Sequence, residues 1–222
     1  MTQHSPEHFW NTTGWSIISA QQSTGFTLWF TGLPGTGKTT LADLIYKALL
    51  FRGYKAEIIN TQALARWLKQ ELHIDETILE DSSHTLGYDA FITYICTLLA
   101  RNGVISITPA ISPHREARAH AREHLPQFIE IYLYCSPEQR SNRQRAKEDI
   151  SLAATIATHL YQPPDSPELS IDTSKELPER SALRILDYLE LHGHIAPLWE
   201  ENETDEAIAL IKARLQALGY LD

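Results

Sequence analysis

Residues Gly32-Leu33-Pro34-Gly35-Thr36-Gly37-Lys38-Thr39 fit the pattern G-x-x-x-x-G-K-[ST] at every defined position. The flanks fit as well. Phe26-Thr27-Leu28-Trp29-Phe30-Thr31 before the glycines is apolar, aromatic and β-branched, the signature of a buried strand. Leu41 to Phe51 after them carries apolar residues at helical spacing. Strand, glycine loop and helix form a phosphate cradle, the P-loop. Glycines let main-chain N–H groups close on an anion, and the helix adds the positive end of its dipole. Gly32, Leu33, Pro34, Gly35, Thr36, Gly37, Lys38, Thr39 and Thr40 are therefore the expected nucleotide-binding residues. Lys38 is placed to reach the β- and γ-phosphates of ATP, and Thr39 to offer its hydroxyl to Mg²⁺.

Five segments read as buried strands: Phe26–Thr31, Ala56–Asn60, Val104–Pro109, Phe128–Cys135 and Leu169–Asp172. Helical patterns separate them at Lys38–Arg52, Thr61–Leu72, Leu86–Asn102, His114–His124, Pro137–Lys147 and Pro178–His192. This alternation predicts an α/β P-loop NTPase fold: a parallel five-stranded sheet with helices on both faces, ligands lying beyond the carboxyl ends of the strands. Residues 1–24 read as an irregular leader, 25–195 as the kinase-type domain and 196–222 as a C-terminal extension. In that extension Ala207, Leu210, Ile211, Leu215 and Leu218 fall on one helical stripe, which either docks on its own domain or serves a homodimer or protein partner.

With 222 residues, 43% hydrophobic and 21% charged, the chain has the composition of one globular domain. No apolar run approaches the ~20 residues that span a bilayer, and Met1–Trp10 lacks the basic and apolar parts of a secretory signal. A net charge of −9 disfavours nucleic acid and anionic membrane as partners. Cys96 and Cys135 have no zinc-ligand spacing around them, so both read as core thiols of a cytoplasmic protein.

Several of these residues together resemble the adenylylsulfate kinase family, whose members phosphorylate the 3′-hydroxyl of adenosine 5′-phosphosulfate (APS). The strand running into the P-loop is similar, and Ile111-Ser112-Pro113-His114-Arg115 matches the family's Ile-Ser-Pro-Tyr-Arg. Tyr161, Pro164, Pro167, Glu168 and Leu169 match its Tyr-Glu-x-Pro-x-x-Pro-Glu-Leu, and Asp172-Thr173 the Asp-Thr that follows. The resemblance spans residues 25 to 195 and implies MgATP as phosphoryl donor, with APS or a related small nucleotide as acceptor. It implies substrate contact at Ile111, Ser112 and Arg115, and associates Ser112 with a phosphoserine intermediate. Read from local sequence alone, Ser112 is the N-cap of the following helix with Pro113 at N1, a role compatible with substrate contact. Arg115 is expected either to face the cleft and hold an anion or to be a surface arginine.

The departures fall on one side. Where the family carries Asp-Gly-Asp-Asn-x-Arg, this chain reads Asn60-Thr61-Gln62-Ala63-Leu64-Ala65. Asn60 can hydrogen-bond a hydroxyl but cannot take its proton. The family's Asp-Arg-x-x-Asn has no clear counterpart; its Arg and Asn fall at Thr85 and Tyr88. Asp75, Glu80 and Asp81 are either substitutes or a solvated loop. The stretch Ser141–Pro164, where a P-loop kinase carries its lid, is shorter, and Arg143, Arg145 and Lys147 are either lid cations or a solvated face. Lys38, Ser112 and Asn60 are the candidate catalytic residues. Three functions fit: an APS kinase-type phosphotransferase, a nucleotide-binding sensor without turnover, or a kinase with a changed acceptor. Ala65 and Trp67 would give that last one a more apolar pocket, the alternative for Trp67 being plain core on an amphipathic helix.

Overall fold

The computed structural model describes residues 25–72, 82–145 and 158–198. The 1–24 leader, the Asp75, Glu80 and Asp81 loop, Lys147 and the 207–218 stripe lie outside the described residues. The elements run β1 (Thr27–Thr31), α1 (Lys38–Phe51), β2 (Ala56–Ile58), α2 (Thr61–Leu72), α3 (Ser82–Arg101) and β3 (Ile105–Pro109). They continue with α4 (Arg115–His124), β4 (Phe128–Tyr134), α5 (Pro137–Arg145), β5 (Leu169–Asp172) and α6 (Pro178–Leu191). The five strands form one parallel sheet in the order β2-β3-β1-β4-β5.

Alternation along the central strand builds two cores. Leu28 and Phe30 of β1 join Leu41, Ile45 and Leu49 of α1 and Ile185 and Leu189 of α6. Trp29, between them, packs on the opposite side with Ile92 and Cys96 of α3 and Ala121 of α4. Successive strand residues point to opposite faces, so a run apolar at every position demands cover on both. Each buried Leu, Ile or Phe side chain among them contributes about 1.5–3 kcal/mol of transfer free energy. Inside the sheet, Thr27 Oγ1 meets Ser106 Oγ at 2.8 Å across β1 and β3. Cys96 is buried, and burial pushes its thiol pKa up. Cys135 departs from the core reading: it is only half-buried and lies beside the Gly35 carbonyl. Among the described residues no helix is long and apolar enough to cross a membrane.

Three boundaries differ from the sequence reading for local reasons. β2 ends at Ile58, because Asn60 leaves the sheet and accepts the Ala63 amide proton on Oδ1 at 3.0 Å, capping α2. α3 begins at Ser82 and not Leu86; its polar first turn carries no apolar period to announce it. α4 begins at Arg115, because Ser112 takes φ 42 and His114, extended at φ −90 and ψ 130, is the N-cap.

Candidate active site

The glycine loop follows β1 at the carboxyl edge of the sheet. Gly35 (φ 85) and Gly37 (φ 95) stand in the left-handed region that a side chain rarely adopts. Gly35 also has no room: a Cβ there would lie 2.9 Å from Arg140 Cγ and 3.0 Å from the Arg140 carbonyl. Gly37 caps α1 without a side-chain hydrogen bond, so no side chain competes for the first-turn amides of that helix. Thr36 is buried and donates to the Leu33 carbonyl at 2.9 Å, tightening the loop from within. Lys38 is buried along the loop, donating from Nζ to the carbonyls of Gly32 (2.7 Å) and Leu33 (3.0 Å). Thr39 and Thr40 are exposed beside it, so the Thr39 hydroxyl is open to a ligand where that of Thr36 is not. These amides, the ammonium and the free hydroxyl are the donor set a nucleoside triphosphate with Mg²⁺ requires.

Helix α5 closes over this loop. Arg143 donates to Gly35 O (3.4 Å), Thr173 Oγ1 (3.0 Å) and Thr173 O (2.8 Å), and Thr173 Oγ1 donates to Thr36 O at 3.0 Å. Of the three basic residues read from the lid, Arg143 is thus on the P-loop. Arg145 is exposed.

The second motif meets the first at a single residue. Thr31, the last residue before Gly32, donates from Oγ1 to the Ile111 carbonyl at 2.8 Å and pairs with Tyr161 Oη at 3.1 Å. Thr61 donates to Pro109 O at 3.2 Å, which brings Asn60 and the end of β2 to the same edge. Tyr88 of α3 donates from its hydroxyl to the Thr61 carbonyl, and burial pushes its pKa upward. The P-loop, Asn60 and the Ile111–Ser112 turn therefore share one edge of the sheet.

Ser112 is where the sequence reading fails. Its hydroxyl caps nothing and Pro113 is not the first residue of a helix. Ser112 is the only non-glycine at positive φ among the described residues, and its side chain points into the interior. Its Oγ donates to Asp89 Oδ1 (3.1 Å) and accepts from Trp29 Nε1 (3.2 Å). Its carbonyl accepts from Arg118 Nη1 at 2.5 Å. In this arrangement the hydroxyl is buried and doubly bonded, not presented as a nucleophile.

Arg115 is likewise redirected. It donates to Pro163 O (2.6 Å) and Asp165 Oδ2 (2.9 Å), holding the proline-rich segment and not an open anion site. Arg118 and Arg122 repeat the action at helical spacing. Arg118 pairs with Glu130 (2.7 Å) and donates to Gln162 O (2.7 Å), and Arg122 pairs with Glu168. Burial works to raise the Glu168 pKa, but the Arg122 hydrogen bond and the Glu130 amide outweigh it and hold the carboxyl below its ordinary value. Tyr161 stacks on Tyr132 with centroids 6.3 Å apart and carries the Arg118 guanidinium 5.8 Å from its ring centre. Its hydroxyl pKa is pushed up to about 12, chiefly by burial. The resemblance had marked the Tyr161–Leu169 segment; its structural role is to brace α4 against β4.

Two residues escaped the sequence reading. Arg118 is 2% exposed and was legible only as the second arginine of a 115, 118, 122 stripe. Asp89 is 4% exposed, and no motif signals it. Trp67, read as pocket wall or core, is 54% exposed and is not core.

A parallel sheet with a glycine loop after its central strand and a lysine and a threonine at the helix start define a P-loop kinase fold. The family profile described as adenylylsulphate kinase matches residues 24–172. The adenylyl-sulfate kinase of Halothermothrix orenii is 33% identical over 177 residues, covering 77% of this chain and 92% of that protein. The probable adenylyl-sulfate kinase of Pyrococcus abyssi is 34% identical over 71% of this chain and 91% of its own length. The structure of the Mycobacterium tuberculosis APS kinase CysC, solved in complex with AMPPNP and APS, aligns at 26% identity with a TM-score of 0.60, over 75% of this chain and 98% of that one. The chain belongs to the adenylylsulfate kinase family and is a nucleotide kinase of that kind.

Proposed function

We propose that this chain transfers the γ-phosphoryl group of MgATP to the 3′-hydroxyl of APS or of a closely related small nucleotide. The observation that carries the reading is the Thr31 hydroxyl, which ties the residue entering the P-loop to the Ile111 carbonyl of the acceptor motif. That bond fixes the two motifs against each other, and phosphoryl transfer depends mainly on positioning and electrostatics. A relative with the same fold was solved with an ATP analogue and APS together.

In this reading the loop amides at Gly35 and Gly37 and the first turn of α1 bind the phosphates. Lys38 leaves the Gly32 and Leu33 carbonyls to meet the β- and γ-phosphate oxygens. Thr39 would hold Mg²⁺, which when bound neutralises phosphate charge. Ile111 and the turn at Ser112 position the acceptor. Asn60 takes no proton: it is an amide, and its Oδ1 caps α2. The absent base costs about 10²–10⁴-fold in rate, so turnover is expected to be slow. ADP release with purified protein, MgATP and APS tests the proposal. Release no faster than with MgATP alone would exclude APS as acceptor.

A second reading is favoured by one observation, the committed Asn60 amide in place of a carboxylate. In it the chain binds the nucleotide pair and does not turn it over. Tight AMPPNP and APS binding by calorimetry, with no ADP formed over hours, would select that reading.

A further inference from the structure

Asp89 is an acid with no place in the family motifs and no access to solvent. It sits on α3, 4% exposed, one residue after Tyr88, the position at which the sequence comparison places the family's Asn. Its Oδ1 accepts from Ser112 Oγ at 3.1 Å, and Ser112 Oγ accepts in turn from Trp29 Nε1 at 3.2 Å. Its Oδ2 is buried with no partner among the described residues. A buried carboxyl oxygen without a partner is destabilising, so its presence needs a reason. The other end of the chain supplies one. Ser112 holds φ 42, a strained conformation for a non-glycine residue that persists only where its surroundings enforce it. Three groups converge on it: Trp29 and Asp89 on the hydroxyl, Arg118 on the carbonyl.

We propose that Asp89 is a positioning residue for the acceptor motif: through Ser112 it holds the Ile111–Arg115 turn in the left-handed conformation that faces the P-loop. Trp29 anchors the same hydroxyl to the central strand, so the turn is fixed relative to the glycine loop three residues on. The proposal rests on the acceptor reading above only in that this turn meets the acceptor. The hydrogen-bond chain itself is a property of the free protein.

The groups facing Asp89 are Trp29 from β1, Ser112 from the turn after β3, and Arg118 from α4. Tyr88 and Thr93 flank it on α3, where Thr93 donates to the Asp89 carbonyl at 2.8 Å. Burial raises the Asp89 pKa to about 7, against the lowering effects of the Ser112 hydrogen bond and the Arg118 charge. The Trp29 indole proton, two bonds along the chain, should report a change at Asp89.

The full chain is labelled with ¹⁵N at tryptophan, and the Trp29 indole resonance is assigned by its loss in Trp29→Phe. It should be displaced in Asp89→Ala and lie close to its wild-type position in Asp89→Asn, whose amide oxygen still accepts from Ser112. A resonance unmoved in Asp89→Ala, or equally displaced in both variants, would overturn the proposal. Calorimetry adds a second arm. Asp89→Ala should weaken APS binding at least about tenfold and leave AMPPNP binding unchanged, while Asp89→Asn, whose amide oxygen still accepts from Ser112, should restore APS binding. Unchanged APS binding in Asp89→Ala, or equal loss of both ligands, would overturn it. If the wild type binds AMPPNP and not APS, the acceptor reading fails, and the indole position in the two Asp89 variants decides the role of Asp89.

Discussion

The proposed donor and acceptor halves of the site are built from different materials. The donor half is backbone: left-handed glycines, uncapped helix amides and a lysine lying on its own loop carbonyls. The acceptor half is side chain: a buried Arg118–Glu130 pair, a three-membered Trp29–Ser112–Asp89 chain, and a proline-rich strap gripped by three arginines. A backbone cradle depends on a few fixed residue types and reads as a motif. A side-chain cradle depends on partners distant in sequence, so one half can be rebuilt while the other stays constant.

Arg118→Ala is the hardest blow this comparison predicts. It strips a buried cation from Glu130, 6% exposed, and leaves that carboxylate only the longer Arg122 contact at 3.3 Å. It also removes donors to Ser112 O and Gln162 O. Breaking a buried pair from one side costs about 3–5 kcal/mol. Urea unfolding should show a loss of that order, and a loss under 1 kcal/mol would mean the pair is not the brace described here. Lys38→Ala comes next and strikes the other half. Removing one preorganised donor to the transferred phosphoryl group costs about 10²–10³-fold in rate, or roughly 2.7–4 kcal/mol of transition-state stabilisation. The fold should survive, with near-wild-type circular dichroism. Equal turnover and equal ATP affinity in Lys38→Ala would remove the donor-site assignment.

The same division explains what could be read in advance. β5 and α2 lie where periodicity put them, and the sheet and P-loop follow from strand, glycine and helix signals within about fifteen residues of each other. Ser112 defeated that logic. A serine before a proline and a helix is a capping pattern, but the hydroxyl bonds Trp29, 83 residues away, and Asp89, 23 residues away. Tertiary partners override local propensity there, and nothing local announces them. Arg115 was legible as a surface arginine, but not its partners: Pro163 and Asp165 stand about fifty residues downstream, in a loop whose composition gives no hint of a pairing. Thr39 and Lys38, by contrast, carry their role in a pattern eight residues long.

Titration distinguishes the halves more gently. Asp89 has its folded pKa raised from 3.8 to about 7 by burial. Between those values the folded protein binds the proton more tightly than the unfolded chain. The contribution to stability is therefore complete below about pH 4, falls as pH rises towards 7, and is level above it. Glu168 runs the other way: its pKa is lowered, so its contribution is present above the ordinary carboxylate range and is lost as pH falls below it. His194, its pKa depressed by burial and by His192, also stabilises more as pH rises through the histidine range. The Asp89 effect is thus read as the wild type minus Asp89→Asn. Thermal unfolding at several points between about pH 5 and 8 should show the wild type losing stability relative to that variant as pH rises. A constant difference across the window would mean Asp89 keeps one protonation state throughout.

The smallest effect sharpens the comparison most. Arg115 and Arg118 lie on one helix and reach the same segment, yet Arg115 is 49% exposed and its partner Asp165 73% exposed, against 3% and 8% for Arg118 and Glu130. An exposed pair contributes about 0–1 kcal/mol because water screens it and side-chain ordering opposes it. Arg115→Ala should therefore change stability by less than about 1 kcal/mol, and 0.5 M NaCl should shrink that difference further. Its backbone N–H still donates to Gln162 Oε1 in the variant, so the strap remains attached. What the substitution isolates is substrate contact. If APS affinity falls about tenfold while stability holds, the guanidinium exchanges Asp165 for the acceptor's anionic group on binding. If affinity and stability both hold, the arginine is a brace alone, and recognition of the acceptor lies with the Ile111–Ser112 turn.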